Sequence, residues 1–137
     1  MTAWNLAYDR YAPAEEGQRE ALCTLGNGFF ATRGAAPESR ADGVHNPGTY
    51  AAGCYNRLSD EIGGHVVENE SMVNLPNWLM LTFAIDEGPW FELDRAEVLS
   101  FGQELDLRRG ILTRRRRVCD RVGRCTQLMQ RRLVHME

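Results

Sequence analysis

The run ILTRRRRVCDRVGRCTQLMQRRLVHME, residues 111–137, decides the fold class. Ile111–Asp120 reads as a strand, by its β-branched ends and its position between two breaks. Arg121-Val122-Gly123-Arg124 is turn chemistry. From Cys125 the chain alternates again, through Leu128, Gln130, Arg132, Val134 and Met136, at the period of two that a pleated strand imposes. Two such runs about a glycine turn predict an antiparallel hairpin.

Working toward the N-terminus, Arg108-Arg109-Gly110 marks another break, and residues 96–107 alternate weakly. WLMLTFAID, residues 78–86, is the clearest strand in the sequence. Leu79, Leu81, Phe83 and Ile85 share one face, and Met80 and Ala84 make the other apolar too, which predicts burial on both sides. Asp86-Glu87-Gly88-Pro89 reads as a turn with WFELD as the answering strand. Residues 65–76 favour extended chain, RLSDEIGG (57–64) reads as a loop, and TYAAGCYN (49–56) as a strand containing a glycine. Residues 35–48 form a loop by composition. Gly26-Asn27-Gly28 is a turn before a short strand, Phe29 to Arg33. It is no phosphate loop, because no Gly-Lys-Ser/Thr opens a helix there. Residues 17–24 are long enough for one or two helical turns, and residues 1–16 read as irregular with Trp4, Tyr8 and Tyr11 as anchors. The expectation is an all-β antiparallel fold with at most a short N-terminal helix.

The 137 residues amount to one domain or part of one. At 43% apolar and 26% charged, the chain belongs to neither the disordered nor the low-complexity classes. No apolar run reaches the roughly 18 residues that would span a bilayer, so no membrane partner is expected. No basic then apolar leader opens the sequence, which sets a cytoplasmic expectation. All sixteen cations are arginine. Residues 1–100 carry six of them against fifteen acids, and residues 101–137 carry ten against four. Arg114 to Arg117 invites a nucleic-acid reading. Yet in a strand the four split two to each face, the segment lacks base-stacking aromatics, and the pI is about 5.6. No nucleic-acid partner is expected.

Four cysteines and three scattered histidines show no Cys-x-x-Cys and no paired ligand spacing, so no metal site is expected. Cys119 and Cys125 flank the last turn and are placed to face each other. Without a secretory leader, buried thiols are the favoured reading. Acidic pairs occur at Asp60-Glu61, Glu68 and Glu70, and Asp86-Glu87, but nothing marks two whose environments would split their acidities. His45 or His65 with a carboxylate would suit an epimerase only by analogy of fold. Asn74-Leu75-Pro76-Asn77-Trp78 joins amides to an indole, a combination suited to a pyranose; a structural turn with Trp78 in the core is the favoured alternative.

Four segments then occur in order: GQREALCTLGNGFFATRGAAPES, NPGTYAAGCYNR, ENESMVNLPNWLMLTFAIDEGPWFELD and LDLRRGILTRRRRVCDRVGRCTQLMQRRLVHM. With them the chain resembles the N-terminal domain of glycoside hydrolase family 65, the family of maltose, trehalose and kojibiose phosphorylases and related hydrolases. The resemblance implies an antiparallel β-sandwich of the galactose-mutarotase-like supersandwich kind, with residues 1–137 covering only part of it and none of the catalytic α/α barrel. It implies an inverting enzyme acting on an α-linked glucose disaccharide, with inorganic phosphate as co-substrate in a phosphorylase and no cofactor. It transfers no catalytic residue to this chain. By their place in the resembling segments, Arg33, Tyr55, Asn56, Asn74, Asn77 and Trp78 are candidates for the rim of the substrate pocket. A partly covered sheet face and open strand edges predict self-association, most simply as a homodimer. The alternative function is a stand-alone carbohydrate-binding β-module.

Overall fold

The backbone of residues 4–136, described by a computed structural model, forms nine strands and one short α-helix. Strands β1 (Asn5–Tyr8), β7 (Glu97–Asp106), β8 (Ile111–Cys119) and β9 (Cys125–Arg132) make one antiparallel sheet in the order β1-β7-β8-β9. Strands β2 (Leu25–Gly26), β3 (Phe30–Thr32) and β4 (Thr49–Ala51) make a second. Strands β5 (Tyr55–Ile62) and β6 (His65–Met72) form a separate two-stranded ribbon. The architecture is the antiparallel sandwich type expected, with helix α1 (Glu16–Leu22) where residues 17–24 placed it.

Alternation along β8 sets the inside of the first sheet. Leu112, Arg114, Arg116 and Val118 point inward, while Arg115 and Arg117 are exposed. Phe101, Gln103 and Leu105 of β7 share the buried face. Cys23, Leu25, Leu105 and Leu112 form the apolar centre, with Leu6, Tyr8 and Val134 packed against it. Helix α1 covers this face with a polar stripe, Glu16, Arg19 and Glu20, followed by Cys23. The spacing is helical, but the residues are charged. Arg19 makes that possible: it donates to Glu16, Glu15 and the Arg10 carbonyl at 3.0, 2.7 and 2.8 Å, and its guanidinium lies 4.5 Å from the Tyr8 ring centroid. Gly34 passes so close to the helix end that a Cβ there would sit 2.5 Å from Cys23 Cβ, so only glycine fits.

Three segments differ from the sequence expectation. Residues 57–62 are strand, not loop. The ribbon buries neither face, so no hydrophobic alternation marks it; its turn is Gly63-Gly64, both at positive φ, as tight hairpins require. Residues 78–86 join no ladder, since residues 78–79 and 86–87 are turns and residues 80–84 between them pair with no strand, and WFELD gives way to a 3-10 turn at Leu93–Arg95. Contacts of residues 78–86 to other segments include Leu81 N–H to Pro37 O (3.0 Å), Phe91 N–H to Phe83 O (2.7 Å) and Thr82 Oγ1–H to Phe91 O (2.8 Å), with Phe83 stacked on Phe91. Pro37 and Pro89, without N–H groups, interrupt pairing on both neighbouring segments. The segment is also not buried on both sides, for Trp78, Met80 and Leu81 are exposed. Finally, Cys119 and Cys125 are disulfide-bonded. They are directly opposite across the β8–β9 register with Cα atoms 4.0 Å apart, close enough for the sulfurs to meet. Cys23 is buried and Cys54 exposed, both free.

Candidate functional site

Two features face solvent with chemistry to offer: an aromatic platform at Trp78 and an arginine-lined cleft beside it.

The platform grows from strand β4. Arg33 N–H bonds Gly48 O on one side of it, and Leu75 N–H bonds Thr49 O on the other, each at 2.8 Å. Asn74 clasps the strand's start: its Oδ1 accepts from Thr49 N–H at 3.1 Å and its Nδ2 donates to Pro47 O at 3.3 Å. Asn77 Oδ1 accepts from Leu79 N–H at 3.1 Å, an Asx-type turn that fixes the backbone beside Trp78. Trp78 Nε1 donates to Thr49 Oγ1 at 3.1 Å, so the indole is held at its polar edge while 62% of the residue stays exposed. Phe30, Leu75 and Pro76 complete an apolar recess next to it. A held ring with an open face, flanked by amides, has the form that stacks on a sugar.

The six rim candidates therefore separate. Asn74 and Trp78 come together at Thr49, and Asn77 fixes the turn beside Trp78 through Leu79 N–H. Tyr55 and Asn56 begin the exposed ribbon, where Val73 N–H pairs with Cys54 O. Arg33 turns away, its Nη2 donating to Gly17 O at 3.1 Å.

The cleft, about 650 Å³, lies between residues 78–83 and the inner face of β8 and β9. Arg114, Arg116 and Arg132 line its floor, each nearly buried, with Glu38 at its edge. Arg114 donates from Nε to Gln103 Oε1 at 2.8 Å, from Nη1 to Gln130 at 3.2 Å, and to the Gly34 carbonyl. Arg132 donates to the carbonyls of Arg33 and Ala35 at 3.0 and 2.9 Å. Arg116 pairs with Glu38 through Nη1, but its Nε and Nη2 are buried without a partner. Burial, then the charges of Arg116 and Arg132, lowers the Arg114 pKa to about 10, so it remains a cation at neutral pH. Sequence reasoning split the four arginines two to each face but did not say which pair is buried. The overlooked signal was parity: Leu112 and Val118 share the face of Arg114 and Arg116.

The acidic candidates do not converge. Asp60, Glu61, Glu68 and Glu70 stand on the exposed ribbon, and Asp86 and Glu87 in an exposed turn. His45 does meet a carboxylate: its Nδ1 lies 2.7 Å from Glu20, which also accepts Asn46 N–H at 2.9 Å. That pair ties the 42–46 loop to α1. His65 is exposed on the ribbon.

Known proteins share this chain's pattern. Residues 6–137 match the N-terminal domain of glycosyl hydrolase family 65. An uncharacterized glycosyl hydrolase of Mycobacterium tuberculosis is 53% identical over 133 residues, covering 97% of this chain and 10% of that protein. Kojibiose phosphorylase of Caldanaerobacter subterraneus subsp. tengcongensis is 34% identical, covering 96% and 16%. Trehalose 6-phosphate phosphorylase of Lactococcus lactis subsp. lactis is 44% identical over 87 residues, covering 61% and 11%. A solved human-microbiome structure assigned as a kojibiose phosphorylase superposes with a TM-score of 0.82 at 22% identity, over 97% of this chain and 18% of its own. The chain thus spans between a tenth and a sixth of the curated relatives' length. It belongs to glycosyl hydrolase family 65, and it corresponds to that family's N-terminal domain.

Proposed function

We propose that this domain is the non-catalytic β-sandwich portion of an inverting enzyme that cleaves an α-linked glucose disaccharide in the cytoplasm, by phosphorolysis or hydrolysis. The observation that carries the reading is the family match over residues 6–137, together with relatives named for disaccharide phosphorolysis. In such an enzyme a carboxylic acid protonates the glycosidic oxygen while phosphate or water attacks the opposite face of the sugar carbon. The phosphate is a co-substrate, and the reaction needs no cofactor. The acidic pairs at Asp60-Glu61, Glu68 and Glu70, and Asp86-Glu87 are scattered and exposed, which makes them poor candidates for that acid. Its contribution is architectural: it shapes the pocket rim with Asn74, Asn77 and Trp78, and it joins subunits.

The test is a chain of the relatives' length incubated with phosphate and kojibiose, trehalose or maltose. Release of β-glucose 1-phosphate, or of glucose without phosphate, is the expected result. No cleavage of any of the three would sink the reading. Trp78→Ala in that chain is expected to raise KM more than it lowers kcat, since the indole would contact ground state and transition state alike.

The exposed indole also favours a second reading, a stand-alone carbohydrate-binding module. Calorimetry on the 137-residue chain decides it: millimolar or tighter disaccharide binding supports it, and no heat rejects it.

A further inference from the structure

We propose that Cys119 and Cys125 form a thiol–disulfide exchange site, opened by a low-molecular-weight thiol of the glutathione class and closed by its disulfide, that clips the β8–β9 turn against residues 85–88. The proposal rests on the reading above only for the compartment. In the cytoplasm thiols keep cysteines reduced, and the disulfides that do form are usually transient or redox-sensing.

Position makes the pair reversible. Asp120 N–H bonds Arg124 O at 2.9 Å, so Cys119 and Cys125, one step along the ladder, are a non-hydrogen-bonded pair, where side chains of neighbouring strands stand closest. Once opened, the two thiols stay opposite each other, because the ladder runs on from Val118 and Thr126 to Leu112 and Arg132 without them. Surroundings make the pair reactive. Cys125 is exposed, which gives an incoming sulfur its access, while Cys119 is nearly buried. Arg117 lies two residues before Cys119 on the same strand face, about 7 Å along the strand, and diagonal to Cys125. It is exposed, and its side chain enters no ion pair or hydrogen bond among the described residues. A guanidinium there favours the thiolate, the form that attacks and leaves. The opposing charge is Glu97, which β7 places opposite Cys119. Asp120, at the turn, is already engaged by Arg124 at 2.7 Å.

The step balances with two thiols. A thiolate RS⁻ attacks Cys125 Sγ, the bond to Cys119 breaks, and Cys119 leaves as a thiolate that takes a proton from water. A second RS⁻ attacks the R sulfur of the mixed disulfide and releases Cys125, which is protonated in turn, with RSSR as product. Two electrons pass from the thiols to the cysteines. The turn between the cysteines reaches another segment. Arg124 Nη1 lies 3.8 Å from Asp86 Oδ2, and Val118, Val122 and Thr126 wall a recess with Phe83, Pro89 and Trp90. Residues 78–86 join no ladder, so they lean on contacts of this kind. Opening the bridge frees the tip of the hairpin and loosens that hold.

Equilibration in mixtures of reduced and oxidised glutathione tests this, on the 137-residue chain and on a chain of the relatives' length. Alkylation at quench and mass spectrometry count the thiols. Cys119 and Cys125 are expected to titrate together and reversibly in the native protein, with a mixed disulfide trapped at Cys125. Arg117→Gln is expected to slow opening about threefold and Glu97→Gln to speed it about as much. A purely structural bridge would not show these opposite shifts. Both side chains are exposed, so neither change threatens the fold. Amide exchange at residues 85–88 and 120–124 should be about tenfold faster in the reduced protein. A bridge that opens only in denaturant in either chain, or thiols that close at no glutathione ratio, overturns the proposal. Opening rates that ignore both substitutions do so too, and unchanged amide exchange overturns the clip. None of these outcomes bears on disaccharide cleavage or on the compartment, which are measured separately.

Discussion

The two long hairpins of this domain, β5–β6 and β8–β9, have similar length and a positive-φ glycine in each turn, yet opposite fates. β8 buries every second residue from Leu112 to Val118, although it carries four arginines in a row. The ribbon has no buried residue, although it carries Leu58, Ile62, Val66 and Val67. Hydrophobicity does not separate them; neighbours do. β8 has a strand on each side and a helix across its face, so Arg114 finds an amide and a carbonyl, and Arg116 a carboxylate, in the interior. The ribbon pairs only with itself.

The sharpest way to break this contrast is to remove a buried guanidinium. Arg114→Ala would strip Gln103 and the Gly34 carbonyl of their donor, and urea unfolding is expected to show a loss of about 3–5 kcal/mol. Arg57→Ala on the ribbon, where the Glu70 pair is exposed, is expected to cost no more than about 1 kcal/mol. Equal losses would mean that the interior arginines are solvated like surface ones.

Next in size is the apolar centre. Leu112, 1% exposed, should cost about 2–5 kcal/mol on truncation to alanine. Ile62→Ala, on the ribbon, is expected to stay within about 0.5 kcal/mol in the monomer.

The disulfide sharpens the contrast at one turn. Cys119–Cys125 closes a short loop, for which chain entropy predicts about 2 kcal/mol lost on reduction. Thiol titration in denaturant should count two thiols before dithiothreitol and four after. Four from the start would show that the pair lies reduced in the preparation.

The smallest effect is on acidity. Asp120 accepts N–H groups from Arg124 and Val122, and these bonds hold its carboxyl below the ordinary value, with the Arg124 side chain assisting. A lowered folded-state pKa contributes stability above the unfolded pKa and loses it as pH falls through the folded one. The 120–124 turn should therefore loosen only in acid, below the usual carboxylate range. Amide exchange there should speed up at pH 2–3 and not between pH 5 and 8. The ribbon turn, built from Gly63-Gly64 without a carboxylate, should show no such step.

Legibility in the sequence followed the same divide. Periodicity and turn chemistry placed β8, β9 and the breaks at residues 108–110 and 121–124, because those signals are local. The ordered segments carried the family. Residues 78–86 misled, since an apolar run reports an appetite for burial and not whether a ladder is available. Residues 57–62 misled in the other direction, since a ribbon with two wet faces needs no pattern. Of the rim candidates, Asn74, Asn77 and Trp78 lie close in sequence and stayed together, Asn74 and Trp78 held at Thr49; Arg33, Tyr55 and Asn56 were separated by packing.

By itself, then, the sequence determined strand-forming chemistry, turn positions, the two-and-two split of Arg114 to Arg117, and family membership. Those follow from backbone preference and residue order, which act over a few positions. Tertiary structure alone decided what the inward arginines bond to, and that Arg116 keeps two donors without acceptors. Each depends on groups distant in the chain, such as Glu38, the Gly34 carbonyl and Gln103, reaching one another in a low-dielectric interior where an unmet hydrogen bond is costly.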